Sequence, residues 1–257
     1  MNLSALRTGD PVEVTRRPIE VICECGINHN GDMDLARAMI AIAANAGADV
    51  AKFQVYDPET LLDSEHPQIK PWWDVIIATK LTPEDVAMLK AECDRHRIKF
   101  MASVFDVERI AWTEAVGMAR YKIASRSLYD EALAEAIKAT GKPVLRSWGS
   151  FDGRRAPDVG WDVTELYCIA EYPAPLEHID VNQLHKFARG GYPPYKGFSD
   201  HTIGLSAAAV AMAYGAQVIE KHFTLDRNLP GPDQACSILP DELRTLCKLR
   251  DGIEALL

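Results

Sequence analysis

Strand-like and helix-like stretches alternate from one end of this 257-residue chain to the other. Short runs rich in β-branched and apolar residues end in polar side chains, and apolar-periodic stretches follow them. The runs that read as strands are 21–27 (VICECGI), 50–55 (VAKFQV), 99–105 (KFMASVF), 120–125 (RYKIAS), 143–148 (PVLRSW), 165–170 (ELYCIA), 195–199 (YKGFS) and 216–223 (AQVIEKHF). Those that read as helices are 32–46, 82–96, 106–116, 129–140, 180–189, 204–214 and 240–256. Asp32, Thr82 with Asp85, and Asp180 stand where helix N-caps are expected, and Gly47, Gly117, Gly141 and Gly215 where helices stop. Eight strands alternating with seven helices predict an α/β fold, the (β/α)8 TIM barrel. The fifth helix is degenerate: GSFDGRRAPDVGWD (149–162) has internal glycines, a proline and little periodicity, and reads as a loop. Residues 10–20 are expected to form a short cap or hairpin over the barrel bottom. Residues 1–257 read as a single barrel domain.

Several function classes fall away on composition. With 47% hydrophobic and 25% charged residues the chain is ordinary for a globular protein. No apolar run reaches membrane-spanning length, and the N-terminus has no apolar core for a secretory signal. The six cysteines show no CxxC pair or zinc-ribbon spacing, and Cys23 and Cys25 share a strand face as small core residues. Reduced thiols without a signal lead us to expect a cytoplasmic protein. A net charge of −9 speaks against nucleic acid or an anionic membrane as partner.

In a TIM barrel the chemistry sits at the C-terminal ends of the strands. There this sequence places Glu24 and Asn28, Lys52 and Gln54, Ser103 and Asp106, Lys122 and Ser125, Arg146 and Ser147, Glu171 and Tyr172, Ser199, Asp200 and His201, and Glu220, Lys221 and His222. Alternate side chains of a strand face the interior, so Lys52 and Gln54 point one way, as do Glu220 and His222. A lysine facing a barrel interior is costly unless an anion meets it, which favours a binding role for Lys52 and Lys122. His201 and His222 end the last two strands, either side of one helix.

The stretches 24–54, 120–125 (RYKIAS), 171–175 (EYPAP) and 197–243 closely resemble the N-acetylneuraminate (sialic acid) synthase family, and the resemblance covers nearly the whole chain. It implies a (β/α)8 barrel that condenses phosphoenolpyruvate with an aldose such as N-acetylmannosamine, giving a nonulosonic acid and phosphate. It implies a divalent metal on His201 and His222, Mn2+ first, with Mg2+ or Co2+ as alternatives. By the same resemblance Lys52, Lys122, Ser125, Ser147 and Ser199, with Ser103 near, hold phosphoenolpyruvate. Glu24 lies by the reacting carbons, Glu220 supports metal or substrate, and Gln54 and Asp233 meet the sugar. Glu24, Glu220 and Lys122 are the expected catalytic groups. Tyr172 is taken as a substrate contact and Asp106 as packing or contact. The expected partners are the two substrates and a second copy of the chain in a homo-oligomer, a dimer first.

The sequence departs from the family in three ways. The family's small C-terminal domain, which gives the sugar an arginine, is expected to be missing here, with a separate partner protein as one replacement. The fifth-strand motif, commonly STG, reads SWG at 147–149, with Trp148 expected beside the phosphate site. The fifth helix is degenerate, and Arg154 or Arg155 in its place is a candidate substitute cation. Two alternative readings are a catalytically inactive barrel that binds sugar or phosphoenolpyruvate as a partner or regulator, and a Schiff-base aldolase using Lys122.

Overall fold

The computed structural model describes residues 18–180, 182, 183 and 195–256. Eight parallel strands close in sequence order into one barrel. They are β1 (Glu20–Gly26), β2 (Val50–Val55), β3 (Lys99–Val104), β4 (Tyr121–Ile123), β5 (Val144–Ser147), β6 (Val163–Cys168), β7 (Tyr195–Asp200) and β8 (Val218–His222). Around them lie α1 (Met33–Ala46), α2 (Pro58–Leu61), α3 (Trp73–Ala78), α4 (Pro83–Arg95), α5 (Glu108–Ala115), α6 (Glu131–Ala139), α7 (Ser206–Ala213) and α8 (Pro240–Leu256). The expected cap over 10–20 falls, through residue 17, outside the described residues, as does most of the expected helix over 180–189.

The helix signals act as read. Asp32 Oδ1 accepts from Asp34 N at 2.9 Å and Leu35 N at 3.0 Å. Thr82 and Asp85 form a capping box at the start of α4. Gly47 closes α1 at φ 95°, a left-handed turn that a side chain at Cβ would strain.

Two layers of side chains fill the barrel. Ile22, Val50, Met101, Leu145, Leu166 and Val218 form a buried apolar plug. Side chains alternate along a strand, so the residues two positions further on also face inward. These are Glu24, Lys52, Ser103, Ser147, Cys168 and Glu220, and all are buried. Barrel closure thus makes one turn of apolar residues the floor beneath one turn of polar and charged ones.

Three expectations need correction. The fourth strand, expected over 120–125, ends at Ile123, because Ser125–Ser127 turns into a 3-10 helix. The sixth, expected over 165–170, spans 163–168, since its pairing with β7 ends at Cys168↔Ser199. Between β2 and α4 the chain adds an unforeseen insertion: α2, a 3-10 turn at Lys70–Trp72, and α3. Its Ile76 joins Ile27, Tyr56 and Phe105 in an apolar cluster, against which Leu61, Leu62, Ile69 and Trp72 pack.

No helix forms over 149–162. The outer face of β5 and β6 is covered instead by the loop itself, through buried Ala156 and Val159 and a polar clasp. Arg146 Nε donates to Glu165 at 3.1 Å and its Nη1 to the Pro157 carbonyl at 2.6 Å. Trp148 Nε1 donates to Glu165 at 2.6 Å. Trp148 therefore points away from the barrel axis rather than into a phosphate site, since Ser147 takes the inward position and its neighbour must face out.

Gly197 lets β7 pack close against its neighbours. A Cβ there would lie 2.5 Å from Leu166 Cδ2 and 2.7 Å from the Val218 carbonyl oxygen. The carbonyl belongs to β8 and is fixed by sheet pairing. Gly197→Ala is expected to cost about 1–3 kcal/mol of stability, seen as a lowered denaturant midpoint with unchanged slope.

Candidate active site

Four charged side chains converge inside the barrel. Lys52 Nζ lies 2.6 Å from Glu24 Oε2 and 3.5 Å from Glu220 Oε2, and donates to Ser103 Oγ at 3.1 Å. Lys122 Nζ lies 3.2 Å from Glu220 Oε1, which also accepts from Ser199 Oγ at 2.8 Å. Gln54 Nε2 donates to Glu24 Oε1 at 3.1 Å. None of the four charged side chains is more than 6% exposed. Burial opposes charge on every one, and mutual pairing answers it. For Lys52, burial pulls the pKa down, but Glu220 and Glu24 outweigh it and raise it. For Glu220, burial pushes up, but Lys122 and Lys52 hold the carboxyl below its usual range. Glu24 goes the other way: burial, reinforced by Glu220, wins over Lys52 and raises its pKa.

Beside the charged layer stand the hydroxyls of Ser125 and Ser147. Ser125 Oγ accepts from Gly149 N at 3.0 Å and donates to Cys168 Sγ at 3.5 Å. Ser147 Oγ is buried with no hydrogen-bond partner, a group left for a ligand.

The two histidines meet at the strand ends. Their ring centroids are 5.4 Å apart, and Tyr172 packs on His201 with centroids at 4.0 Å. His201 Nδ1 lies 2.6 Å from the Ile169 carbonyl, so Nε2 is the nitrogen available to a ligand. Burial, with His201 close by, drives the pKa of His222 well below its usual value, so its ring is neutral. Its Nδ1 is buried without a hydrogen bond and lies 3.6 Å from Asp233 Oδ2. Burial and Glu24 raise the Asp233 pKa to about 6. Among the described residues no three His, Cys, Asp or Glu side chains form a complete metal cage. Two imidazoles and a rim carboxylate nevertheless suit a divalent ion that takes its other ligands from substrate and water.

The expected catalytic, substrate and metal residues lie at this centre or its rim: Glu24, Lys52, Gln54, Ser103, Lys122, Ser125, Ser147, Ser199 and Glu220 within, Tyr172, His201, His222 and Asp233 at the opening. Other strand-end polar residues serve the scaffold. Asp106 receives Arg109 Nη1 at 2.9 Å, and Asn28 Nδ2 ties β1 to the Phe223 carbonyl at 2.9 Å. Lys221 points outward to Asp200 Oδ2 at 2.9 Å and the Thr202 carbonyl at 2.7 Å. Cys168, inward between Ser125 and His201, was not foreseen, although its place two residues after Leu166 signals it.

Above the charges opens a cavity of about 1020 Å3, lined by Gln54, Ser125, Arg126, Tyr172 and Asp233 on the barrel side and by Ile69 and Trp72 of the insertion. Arg154 and Arg155 do not line it. They border a separate cavity of about 450 Å3 with Tyr129 and Asp158, and Arg154 is held by Asp152 at 2.8 Å.

Comparison with known proteins fits this arrangement. Residues 39–257 match the NeuB family. The chain belongs to the NeuB family. It is 32% identical to an uncharacterized protein of Methanocaldococcus jannaschii, over 95% of this chain and 73% of that one. It is 30% identical to the N,N'-diacetyllegionaminic acid synthase of Legionella pneumophila, over 90% and 71%. The crystal structure of the N-acetylneuraminic acid (sialic acid) synthetase of Leptospira borgpetersenii superposes with a TM-score of 0.83 at 29% identity, over 93% of this chain and 85% of that one. This NeuB chain is thus an enzyme of the phosphoenolpyruvate-dependent sugar-acid synthase kind.

Lys221 and Asp200 flank the two histidines and are at most 1% exposed. Lys221→Met leaves Asp200 buried without its cation, with only the Thr202 N–H donating to it among the described residues, at an expected cost of about 3–5 kcal/mol. Adding Asp200→Asn should recover part of it, and a double-mutant cycle in urea measures the coupling.

Proposed function

We propose that this chain condenses phosphoenolpyruvate with an aldose of the N-acetylmannosamine type, releasing phosphate and a 2-keto-3-deoxy sugar acid of the nonulosonic class. The observation that carries the reading is the buried Lys52–Glu24–Glu220–Lys122 cluster beside two imidazoles and an unpartnered serine hydroxyl. A barrel core without a charged ligand gains little from two lysines. Products named for relatives, legionaminic and sialic acids, are of the same chemical class.

Lys52 and Lys122 bind the phosphate and carboxylate of phosphoenolpyruvate, and Ser125, Ser147, Ser199 and Ser103 orient them. Gln54, Tyr172 and Asp233 position the open-chain sugar above. C3 of phosphoenolpyruvate then forms a bond to the aldehyde carbon, and C2 becomes oxocarbenium-like. The aldehyde oxygen, left as an alkoxide, gains a proton and becomes a hydroxyl. Water adds to C2 with loss of one proton. As the C2 hydroxyl gives up its remaining proton to form the ketone, the C2–O bond breaks and phosphate leaves with the electron pair, so the phosphorus–oxygen bonds survive. Glu24, with its raised pKa and its place beside Lys52, takes the proton from that water. Glu220 keeps the two lysines apart and oriented. His201 and His222 would hold a divalent ion, Mn2+ first, which when bound polarises the sugar's aldehyde oxygen as a Lewis acid.

Phosphate release from phosphoenolpyruvate, followed with Mn2+ against a panel of aldoses, tests the reading. Release is expected only with a matching aldose, lost on chelation and restored by metal. His201→Ala and His222→Ala should each abolish turnover while leaving the fold intact by circular dichroism. Turnover that survives thorough chelation would point instead to Schiff-base chemistry at Lys122. Lys52→Met and Lys122→Met should weaken phosphoenolpyruvate binding by about 2–5 kcal/mol, roughly 30-fold to several thousandfold, and sugar binding much less. Calorimetry reads this directly, and unchanged phosphoenolpyruvate affinity would remove both lysines from the site.

A further inference from the structure

The inner end of the site is electrically balanced before any substrate arrives. Lys52 and Lys122 are both in ion-pair contact with Glu24 or Glu220, two cations against two carboxylates. Phosphoenolpyruvate brings about three negative charges, one from its carboxylate and up to two from its phosphate. A divalent ion on the imidazoles answers two of them. Asp233 at the rim adds a carboxylate of its own, so at least one more positive charge is wanted, and an acceptor sugar bearing its own anionic group would increase that need.

Most arginines at this end of the barrel are already engaged. Arg109 is held by Asp106 and Asp57, and Arg146 by Glu165. Arg154 pairs with Asp152 beside the other cavity. Arg126 differs. It lines the mouth with Gln54, Tyr172 and Asp233, is exposed, and makes no ion pair or side-chain hydrogen bond among the described residues. Its placement is fixed from below. Ser125, the preceding residue, is buried and tied to Gly149 N at 3.0 Å, and both sit in the 3-10 turn that ends β4. A planar guanidinium on a rigid turn, one residue from a hydroxyl in the charged layer, suits bidentate capture of a phosphoryl or carboxylate group.

We propose that Arg126 is the mouth's anion-binding residue, the cation that completes the charge balance of the loaded site and selects for an anionic oxygen group entering through the mouth. The proposal rests on the condensation reading above. Two sources share this chemistry: the phosphate of phosphoenolpyruvate and an anionic substituent on the acceptor sugar.

Three variants of the whole chain decide it: wild type, Arg126→Gln and Arg126→Lys. Each is assayed at low and high salt, with neutral, phosphorylated and carboxylated aldoses. Binding of phosphoenolpyruvate alone is measured by calorimetry, which needs no turnover. If the group captured is the phosphate of phosphoenolpyruvate, Arg126→Gln weakens its binding roughly tenfold at low salt, less at high salt because the contact is exposed, and Arg126→Lys falls between. If the group belongs to the sugar, phosphoenolpyruvate binding is unchanged and the KM rise appears only with anionic acceptors. Ligand-free thermal unfolding should not move in either variant, since Arg126 has no partner to lose. Binding and KM values within twofold of wild type for phosphoenolpyruvate and every acceptor would overturn the proposal while leaving the condensation reading intact. Absence of condensation in the wild type would overturn that reading, and the calorimetric comparison would still decide whether Arg126 meets phosphoenolpyruvate.

Discussion

Two lysines and two glutamates inside a protein cost several kcal/mol each in lost hydration, and only close mutual contact returns it. Here the contacts bridge strands far apart in sequence: Glu24 on β1, Lys52 on β2, Lys122 on β4 and Glu220 on β8. No local segment can assemble them. The closed barrel can, because alternation along each strand sends the same layer of side chains inward and the β1–β8 pairing joins the ends. The apolar plug of Ile22, Val50, Met101, Leu145, Leu166 and Val218 beneath keeps water from entering below. Among the described residues, the charged layer lies between this plug and the cavity that opens above it.

The neighbours of these residues show how closely chemistry and scaffold are interleaved. Every inward polar group has an outward companion that does structural work. Arg146, beside Ser147, clasps Glu165. Lys221, between Glu220 and His222, clasps Asp200. These outward pairs add to the apolar packing at two places: the face without a fifth helix, where Trp148, Ala156 and Val159 are buried, and the β7–β8 seam that carries both histidines. A polar clasp is directional where apolar packing is not, so it fixes strand register next to the residues whose spacing matters most.

How much of this was legible in the sequence follows from range. Alternation and caps are local, and they located the eight strands, the helix starts at Asp32 and Thr82, and, by parity, the inward Lys52, Gln54, Glu220 and His222. Direction failed where a strand end was misjudged: Trp148 was set beside the phosphate site although its neighbour Ser147 holds the inward position. Cys168 carries no charge or motif that would distinguish it from the apolar strand residues around it. The insertion between β2 and α4 escaped because four- to six-residue helices are too short to show a 3.6-residue period. Arg154 and Arg155 lie in a loop whose path is set by Arg146 reaching the Pro157 carbonyl, a tertiary contact that composition does not reveal.

The site thus has two halves with different physical origins. The inner half is built from strand residues at matching heights, satisfied by one another and held by sheet pairing. A change there disturbs several partners at once. The mouth is built from a 3-10 turn, the ends of loops and an inserted apolar wall, where a side chain can change without breaking a barrel contact. Chemistry on the common substrate belongs in the first half, because it needs fixed charge. On the condensation reading, choice of the second substrate belongs in the second, because shape and the Arg126 guanidinium can be altered there at little cost to the fold. Arg126 stands on the border between them, anchored through Ser125 to the inner half and facing the outer one. In the role proposed for it, a single residue there couples the charge of what enters to the balance of what is already buried.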